Sequence, residues 1–313
     1  MSLHRLTSIT IGVPNVAETA QYYAEFGLTP VSRPGAHEQQ FTTRDGGEQL
    51  TIAQSSTRRL LRIGVGAQDP DDLDRITHSL GRLDIDSVRD GDSLLVHDPN
   101  SALEVLVEVA PELRQEPAVR EPMNAPGRAD RANVRAPGVD RNDRIRPRKL
   151  GHVVIGSVDR EATTRFFIDG LGFKMSDHIT GIASFMRCST DHHNVLVQQA
   201  PLNFLHHTAW EVDDVDEVGR GASSMLQDHP ERHVWGLGRH HLGSNFFWYL
   251  KDPAGNFSEY YSDLDCIIED ALWKPEDIGG ARGLYNWGPP PPPSFLAPED
   301  LAGLMTGSHA PTA

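Results

Sequence analysis

A duplicated pattern constrains this chain more than any other feature. Residues 6–16 alternate as a strand does and stop at Pro14-Asn15, after which residues 17–26 take helical spacing with Tyr22, Tyr23 and Phe26 on one stripe, ended by Gly27. From Lys149 the pattern returns. Gly151 to Asp159 lead into a helix that carries Phe166 and Phe167 where the first carries Tyr22 and Tyr23, and it ends in Gly170-Leu171-Gly172-Phe173. Strands near 39–44 and 48–54 flank Asp45-Gly46-Gly47, a hairpin signal, and strands near 183–187 and 193–199 answer them. Each half then runs a second round. In the first half Leu60–Val65 leads to a helix start at Asp69 and closing strands at 93–96 and 103–109. In the second half Leu205–Val212 leads to a helix start at 213–216, with closing strands at 245–251 and 257–261. A repeated unit fixes the architecture before any motif does. The pattern predicts an α+β chain of two domains, each built from two βαβββ-like rounds: 1–111, then 150–263, joined by a linker over 112–149 and followed by a tail over 264–313.

The linker is set apart by composition. It holds nine arginines, Lys149 and five prolines with almost no apolar periodicity, inside a chain whose formal charge is −15. Such a segment is expected to drape over a neighbouring domain through arginine pairs with acidic surface. The acidic balance of the whole argues against nucleic-acid or anionic-membrane partners. No run of about 18 apolar residues is present and the first residues lack a signal-peptide pattern, so a cytoplasmic protein is expected. Two cysteines, Cys188 and Cys266, make neither a disulfide framework nor a CxxC site, and Cys188 reads as a buried free thiol. In the tail, Trp273, Tyr285, Trp287 and the run Pro289–Pro293 suggest an extended segment that wraps its own domain.

Three residues are out of place. Glu259 sits in a strand with Phe257, Tyr260 and Tyr261, where an unpaired carboxylate is costly. His152 interrupts the apolar strand Leu150–Ile155, and His206-His207 interrupt Leu205–Trp210. Two strand histidines and one strand glutamate form the 2-His-1-carboxylate set that suits non-haem Fe(II) oxygenases.

With these residues the chain resembles the type I extradiol catechol dioxygenases of the vicinal oxygen chelate superfamily. The likeness covers nearly the whole length and is strongest over 150–262. It implies the vicinal oxygen chelate fold, with each pair of βαβββ modules curling around a cavity, a metal-free first domain and a catalytic second one. It implies His152 as the first metal ligand, a second from the Leu-His-His strand, and Glu259 after the Asp252-Pro253-Ala254-Gly255 turn. The repeat selects His207, since His152 precedes Asp159 by seven residues and His207 precedes Asp214 by seven; His206 would face the other side of its strand. The resemblance further implies His193, second of a His-His pair, as the acid–base residue, and His240 of Gly238-Arg239-His240 with Tyr249 as catalytic and substrate-binding groups. His241, Asn245 and Phe185 are further expected substrate contacts, and Phe246, Phe247 and Trp248 are candidates to wall the pocket. The first half has Ser8 and Arg62 in place of the two histidines, with Glu104 near the place of Glu259.

The function so implied is Fe(II)-dependent, with Mn(II) as the other metal the ligands suit: extradiol ring opening of a catechol by O2 to a 2-hydroxymuconic semialdehyde-type product, by a homo-oligomer. The rival readings are another metalloenzyme on the same modules, a glyoxalase-like isomerase or a thiol transferase, and a drug-sequestering binding protein without metal.

Overall fold

A computed structural model of the chain describes residues 3–31, 37–280 and 283–306. The first half comprises β1 (Leu3–Val13), α1 (Val16–Glu25), β2 (Thr29–Pro30), β3 (Glu38–Thr43), β4 (Gly47–Gln54), β5 (Arg59–Ala67), α2 (Pro70–Gly81), β6 (Ser87–Asp90), β7 (Ser93–His97) and β8 (Glu104–Val109). The second comprises β9 (Leu150–Ser157), α3 (Arg160–Arg165), β10 (Lys174–Ile179), β11 (Ala183–Arg187), β12 (Val195–Gln199), β13 (Phe204–Glu211), α4 (Val215–Leu226), β14 (His233–Arg239), β15 (Phe246–Lys251) and β16 (Phe257–Ser262). Short helices α5 (Pro293–Leu296) and α6 (Leu301–Thr306) follow in the tail. Among the described residues the strands form two eight-stranded sheets, ordered β2-β3-β4-β1-β5-β8-β7-β6 and β10-β11-β12-β9-β13-β16-β15-β14. The two orders are the same order, so the repeat in the sequence is a repeat in topology.

The local chemistry behind that repeat is visible at the helix starts. Asp69, Asp159 and Asp214 each accept a backbone N–H of the first turn, from Asp72, Ala162 and Glu217, satisfying a donor that the helix itself leaves open. The strands that pattern reading passes over are β2, β6, β10 and β14, the four outer strands. An edge strand has one neighbour and little buried face, so it need not alternate: β6 exposes Val88, Arg89 and Asp90, and β14 contains Gly236 and Gly238. With Phe166-Phe167 laid on Tyr22-Tyr23, Gly170 falls one place short of Gly27, and this one-residue slip has a cause. α3 widens into a π-helical turn over Phe166–Leu171 before Gly172 closes it at φ +88°, whereas α1 runs straight to Gly27 at φ +109°. The extra residue is the π turn, and Gly172, not Gly170, is the counterpart of Gly27.

The halves share one core. Phe26 stacks flat on Tyr260 with centroids 3.8 Å apart, Tyr23 meets Trp210 edge-on, and the Tyr22 hydroxyl bonds Ser258 at 2.5 Å. Apart from a bridge between Ala125 and Arg128 and a 3-10 turn at Pro137–Val139 the linker is irregular, and it pairs as its composition suggests. Arg141 bridges Glu121 and Asp214, and Arg148 reaches Asp45 and Asp213. The tail wraps the second half. Trp273 donates to the Ser176 carbonyl, Trp235 donates to that of Pro289, and Pro293 opens α5 at a position where a missing N–H costs nothing. No described helix is long and apolar enough to cross a membrane.

Candidate metal centre

The second sheet carries a transverse row of side chains. β9 and β13 are antiparallel with His152 opposite Ala209, β13 and β16 are parallel with Ala209 beside Glu259, and β15 sets Tyr249 opposite Glu259. Paired residues present their side chains to the same face. Ala209, fully buried and small, therefore lies between His152 and Glu259, and its missing bulk leaves the room in which their longer side chains meet. His207, two residues along the same strand, joins them. His152 Nε2 lies 3.1 Å and His207 Nε2 3.4 Å from the same Glu259 oxygen, and one ligand atom of each residue falls within 4.8 Å of the others.

The electrostatics suit a cation. Burial works against the Glu259 charge, but hydrogen bonding from His152 leads the opposing effects, and together they hold the carboxyl well below the usual range. Burial takes His207 down to about 4 and His206 to about 3, so both imidazoles are neutral near pH 7. The tautomer of His207 follows from its neighbour. The Phe295 carbonyl can only accept, so His206 Nε2 donates to it at 2.7 Å. His206 Nδ1 must then accept from His207 Nδ1 at 2.7 Å, which leaves the His207 Nε2 lone pair without a hydrogen-bond partner in a buried site. A bare lone pair beside a carboxylate is a poor arrangement unless a cation lies between them, so the residues fit a divalent metal.

Beside the triad is a cavity of about 200 Å³, lined by His152, His193, His207, His240 and Tyr249 and otherwise largely by apolar side chains, Phe185, Leu196 and Leu242 among them. A dry cavity of about 150 Å³ accepts benzene, so this one admits an aromatic ring. His193 flanks His152 with ring centroids 4.2 Å apart and meets Phe185 edge-on at 5.3 Å. On the other side His240 Nδ1 donates to the Leu284 carbonyl at 2.6 Å, so its Nε2 accepts the Tyr249 hydroxyl at 2.9 Å. Burial and the Glu259 charge push the Tyr249 phenol well above its ordinary pKa, keeping it a donor.

Several expected residues sit elsewhere. His241 is exposed and faces Glu276 at 3.6 Å, outside the cavity, because the Gly243 turn (φ +86°) carries it outward. Asn245 is fully buried and donates to Glu259 Oε1 at 3.1 Å, so it holds the carboxylate and does not line the cavity. Of the aromatic run, Phe247 stacks on His240 at 4.1 Å, while Phe246 packs under Arg239 and Trp287 and Trp248 faces His233, both away from the cavity. His206 does not cross to the far face: a register irregularity between Leu205 and His207 leaves its ring 5.0 Å from that of His207. In the first half Leu106 holds the register of Glu259; Glu104 corresponds to Phe257 and forms an ion pair with Arg62. Sequence reasoning passed over the tail's contribution, Leu284 and Phe295, and over Asp177 behind His192. No local pattern marks the first two, since a carbonyl carries no signature in sequence.

Residues 149–260 match the family model described as Glyoxalase/Bleomycin resistance protein/Dioxygenase superfamily. The chain is 30% identical over 304 residues to Metapyrocatechase 2 of Cupriavidus necator, covering 94% of this chain and 92% of that protein. Among solved structures it is similar to the Mn(II)-bound glyoxalase from Novosphingobium aromaticivorans (TM-score 0.75, 24% identity, 93% of each chain). It is also similar to the homoprotocatechuate 2,3-dioxygenase of Brevibacterium fuscum in complex with 3,4-dihydroxyphenylacetate (TM-score 0.74, 18% identity, 94% of this chain and 92% of that one). At these identities the structural likeness is one of fold.

Proposed function

The chain belongs to the extradiol catechol dioxygenases of the glyoxalase/bleomycin resistance protein/dioxygenase superfamily, and we propose that its reaction runs on an Fe(II) held by His152, His207 and Glu259. The protein is an oxidoreductase that opens a catechol ring beside the diol and places both atoms of O2 in the product. The observation that carries the site assignment is the buried convergence of two imidazoles and one carboxylate on a single point beside a ring-sized cavity. Mn(II) suits the same donors. When bound, the metal supplies the positive charge that favours the ionised catechol and the open positions for substrate and O2.

The side chains have separate tasks. His193, kept neutral because burial and the neighbouring imidazoles lower its pKa, accepts a proton from a substrate hydroxyl and later returns it to oxygen. Tyr249 and His240 hold a substrate oxygen on the opposite side. The low exposure of His193, Tyr249 and the three ligand residues keeps water from competing for the same hydrogen bonds. A ring substituent would meet Ile179, Ala183, Leu196 and Leu242, so alkyl or aryl catechols are the favoured substrates. The first half, with Ser8 and Arg62 at the equivalent positions, serves as scaffold.

The test is anaerobic reconstitution with Fe(II) or Mn(II), then addition of O2 with a panel of substituted catechols. Oxygen uptake with a yellow ring-opened product is expected. A metal-loaded protein that takes up no O2 with any catechol, yet isomerises a thiol hemiacetal, would replace this reading with a glyoxalase-like one.

A further inference from the structure

Behind His193 stands a buried pair that the reaction described so far does not use. Asp177 on β10 and His192 in the loop before β12 are almost without exposure. His192 Nε2 lies 2.7 Å from Asp177 Oδ2, and His192 Nδ1 lies 3.0 Å from His193 Nδ1. The other Asp177 oxygen accepts the Glu276 backbone N–H at 2.6 Å. We propose that Asp177 and His192 are positioning residues that select the tautomer of His193, leaving its Nε2 as the nitrogen that takes the substrate proton. The proposal rests on His193 being the acid–base residue.

The selection follows from counting hydrogens. A carboxylate offers only lone pairs, so the hydrogen between Asp177 and His192 belongs to His192 Nε2. With one N–H on the imidazole, as the proposal has it, His192 Nδ1 is an acceptor. The hydrogen on the next link therefore belongs to His193 Nδ1, and Nε2 carries the lone pair. Were the relay reversed, His193 Nε2 would bear a hydrogen and have no means of accepting another. A doubly protonated His192 would force that reversed state, so the relay as proposed carries a single hydrogen on His192. The second His-His pair of the chain, His206 and His207, uses the same device with the Phe295 carbonyl in the place of the carboxylate.

Asp177→Asn should invert the relay. The Glu276 N–H needs an oxygen, so the amide oxygen stays with it and the NH2 turns to His192. His192 Nε2 then accepts, Nδ1 donates, and His193 acquires its hydrogen on Nε2. In serine proteases the same exchange behind a catalytic histidine costs about 10⁴-fold through the wrong tautomer. Here turnover per bound metal should fall by about 10²-fold or more, the loss expected when a general acid–base group is disabled. Metal content and catechol KM should stay at the parent values.

The direct readout is the ¹⁵N spectrum of histidine-labelled full-length chain loaded with diamagnetic Zn(II), the His193 signals being those that vanish in His193→Phe. The parent should show His193 protonated on Nδ1 and bare on Nε2, and Asp177→Asn should show the reverse. A parent spectrum with the hydrogen on Nε2 overturns the proposal, whether or not the variant folds. A reversed tautomer with undiminished turnover per metal would remove the acid–base role from His193 itself, and the positioning role would fall with it.

Discussion

Glu259 is without exposure among aromatic neighbours, and it is stable there because Asn245 donates to one of its oxygens and His152 Nε2 lies within hydrogen-bond distance of the other. Removing it leaves two imidazoles with no anionic partner to offset a cation. Glu259→Ala should therefore purify without metal by elemental analysis, while Ser8→Ala and Arg62→Ala in the first half should keep the parent's metal content. His207→Gln should lose the metal outright; His206→Gln, which removes only the outer partner, should weaken binding by about 10–100-fold. His193 touches no metal-ligand oxygen, so His193→Phe should keep the metal and still bind catechol, with turnover per iron lower by about 10²–10⁴-fold. Unchanged turnover per iron would pass the role to His240 or His192. The two cysteines should also separate. Burial pushes the Cys188 thiol far above its ordinary pKa and shields it, whereas Cys266 is exposed. A thiol reagent at pH 8 should titrate one group in the folded chain and two in urea, since the thiolate is the reactive form; two fast groups in the folded chain would contradict the burial of Cys188.

At the scale of elements, β13 and the tail depend on an arginine from the other half. Arg58 precedes β5, yet its side chain is 1% exposed, donates to the Leu205 carbonyl on β13 and to Asn256 in the turn before β16, and pairs with Asp300 beside α6. Leu205 and Asn256 sit within three residues of ligands His207 and Glu259 along the chain, so this one side chain bears on the position of both. Arg58→Ala leaves the Leu205 carbonyl and the Asn256 amide oxygen buried with a partner removed, a cost of about 1–3 kcal/mol for each such group. Urea unfolding should show a lower midpoint, and limited proteolysis should cut the segment after Phe295 sooner than in the parent. A variant with parental stability and protease resistance would show that the clamp is dispensable.

At the scale of the whole molecule, the second half carries the ligands but not all of its own core. Tyr22, Tyr23 and Phe26 of α1 cover Tyr260 and Trp210, and the Tyr260 hydroxyl donates to the Phe26 carbonyl at 2.6 Å. Residues 149–306 alone would expose those aromatic faces and leave a buried hydroxyl unpaired. Unfolding should therefore be one cooperative event. Circular dichroism and tryptophan fluorescence, which weight the halves differently, should give the same denaturant midpoint. Two separated transitions would mean that the halves are independent domains joined only by the linker.

The sequence by itself determined the duplication, the α+β class, the helix starts at Asp69, Asp159 and Asp214, and the three ligand candidates. Each of these is written in local spacing: a strand alternates every two residues, a helix every 3.6, and a polar residue in an apolar run is visible wherever it stands. His193, His240 and Tyr249 stood out only through the resemblance to the extradiol dioxygenases. Only the tertiary structure decided the rest. That His241 turns outward, that Asn245 serves Glu259, and that Leu106 and not Glu104 holds the equivalent register in the first half all depend on turn geometry and strand pairing across dozens of residues. The Leu284 and Phe295 carbonyls act through backbone groups that every residue possesses, so no side-chain pattern announces them. The relay from Asp177 to His193 joins residues 16 apart by hydrogen bonds whose direction follows from which partner lacks a hydrogen, and that is settled only when folding brings the atoms together.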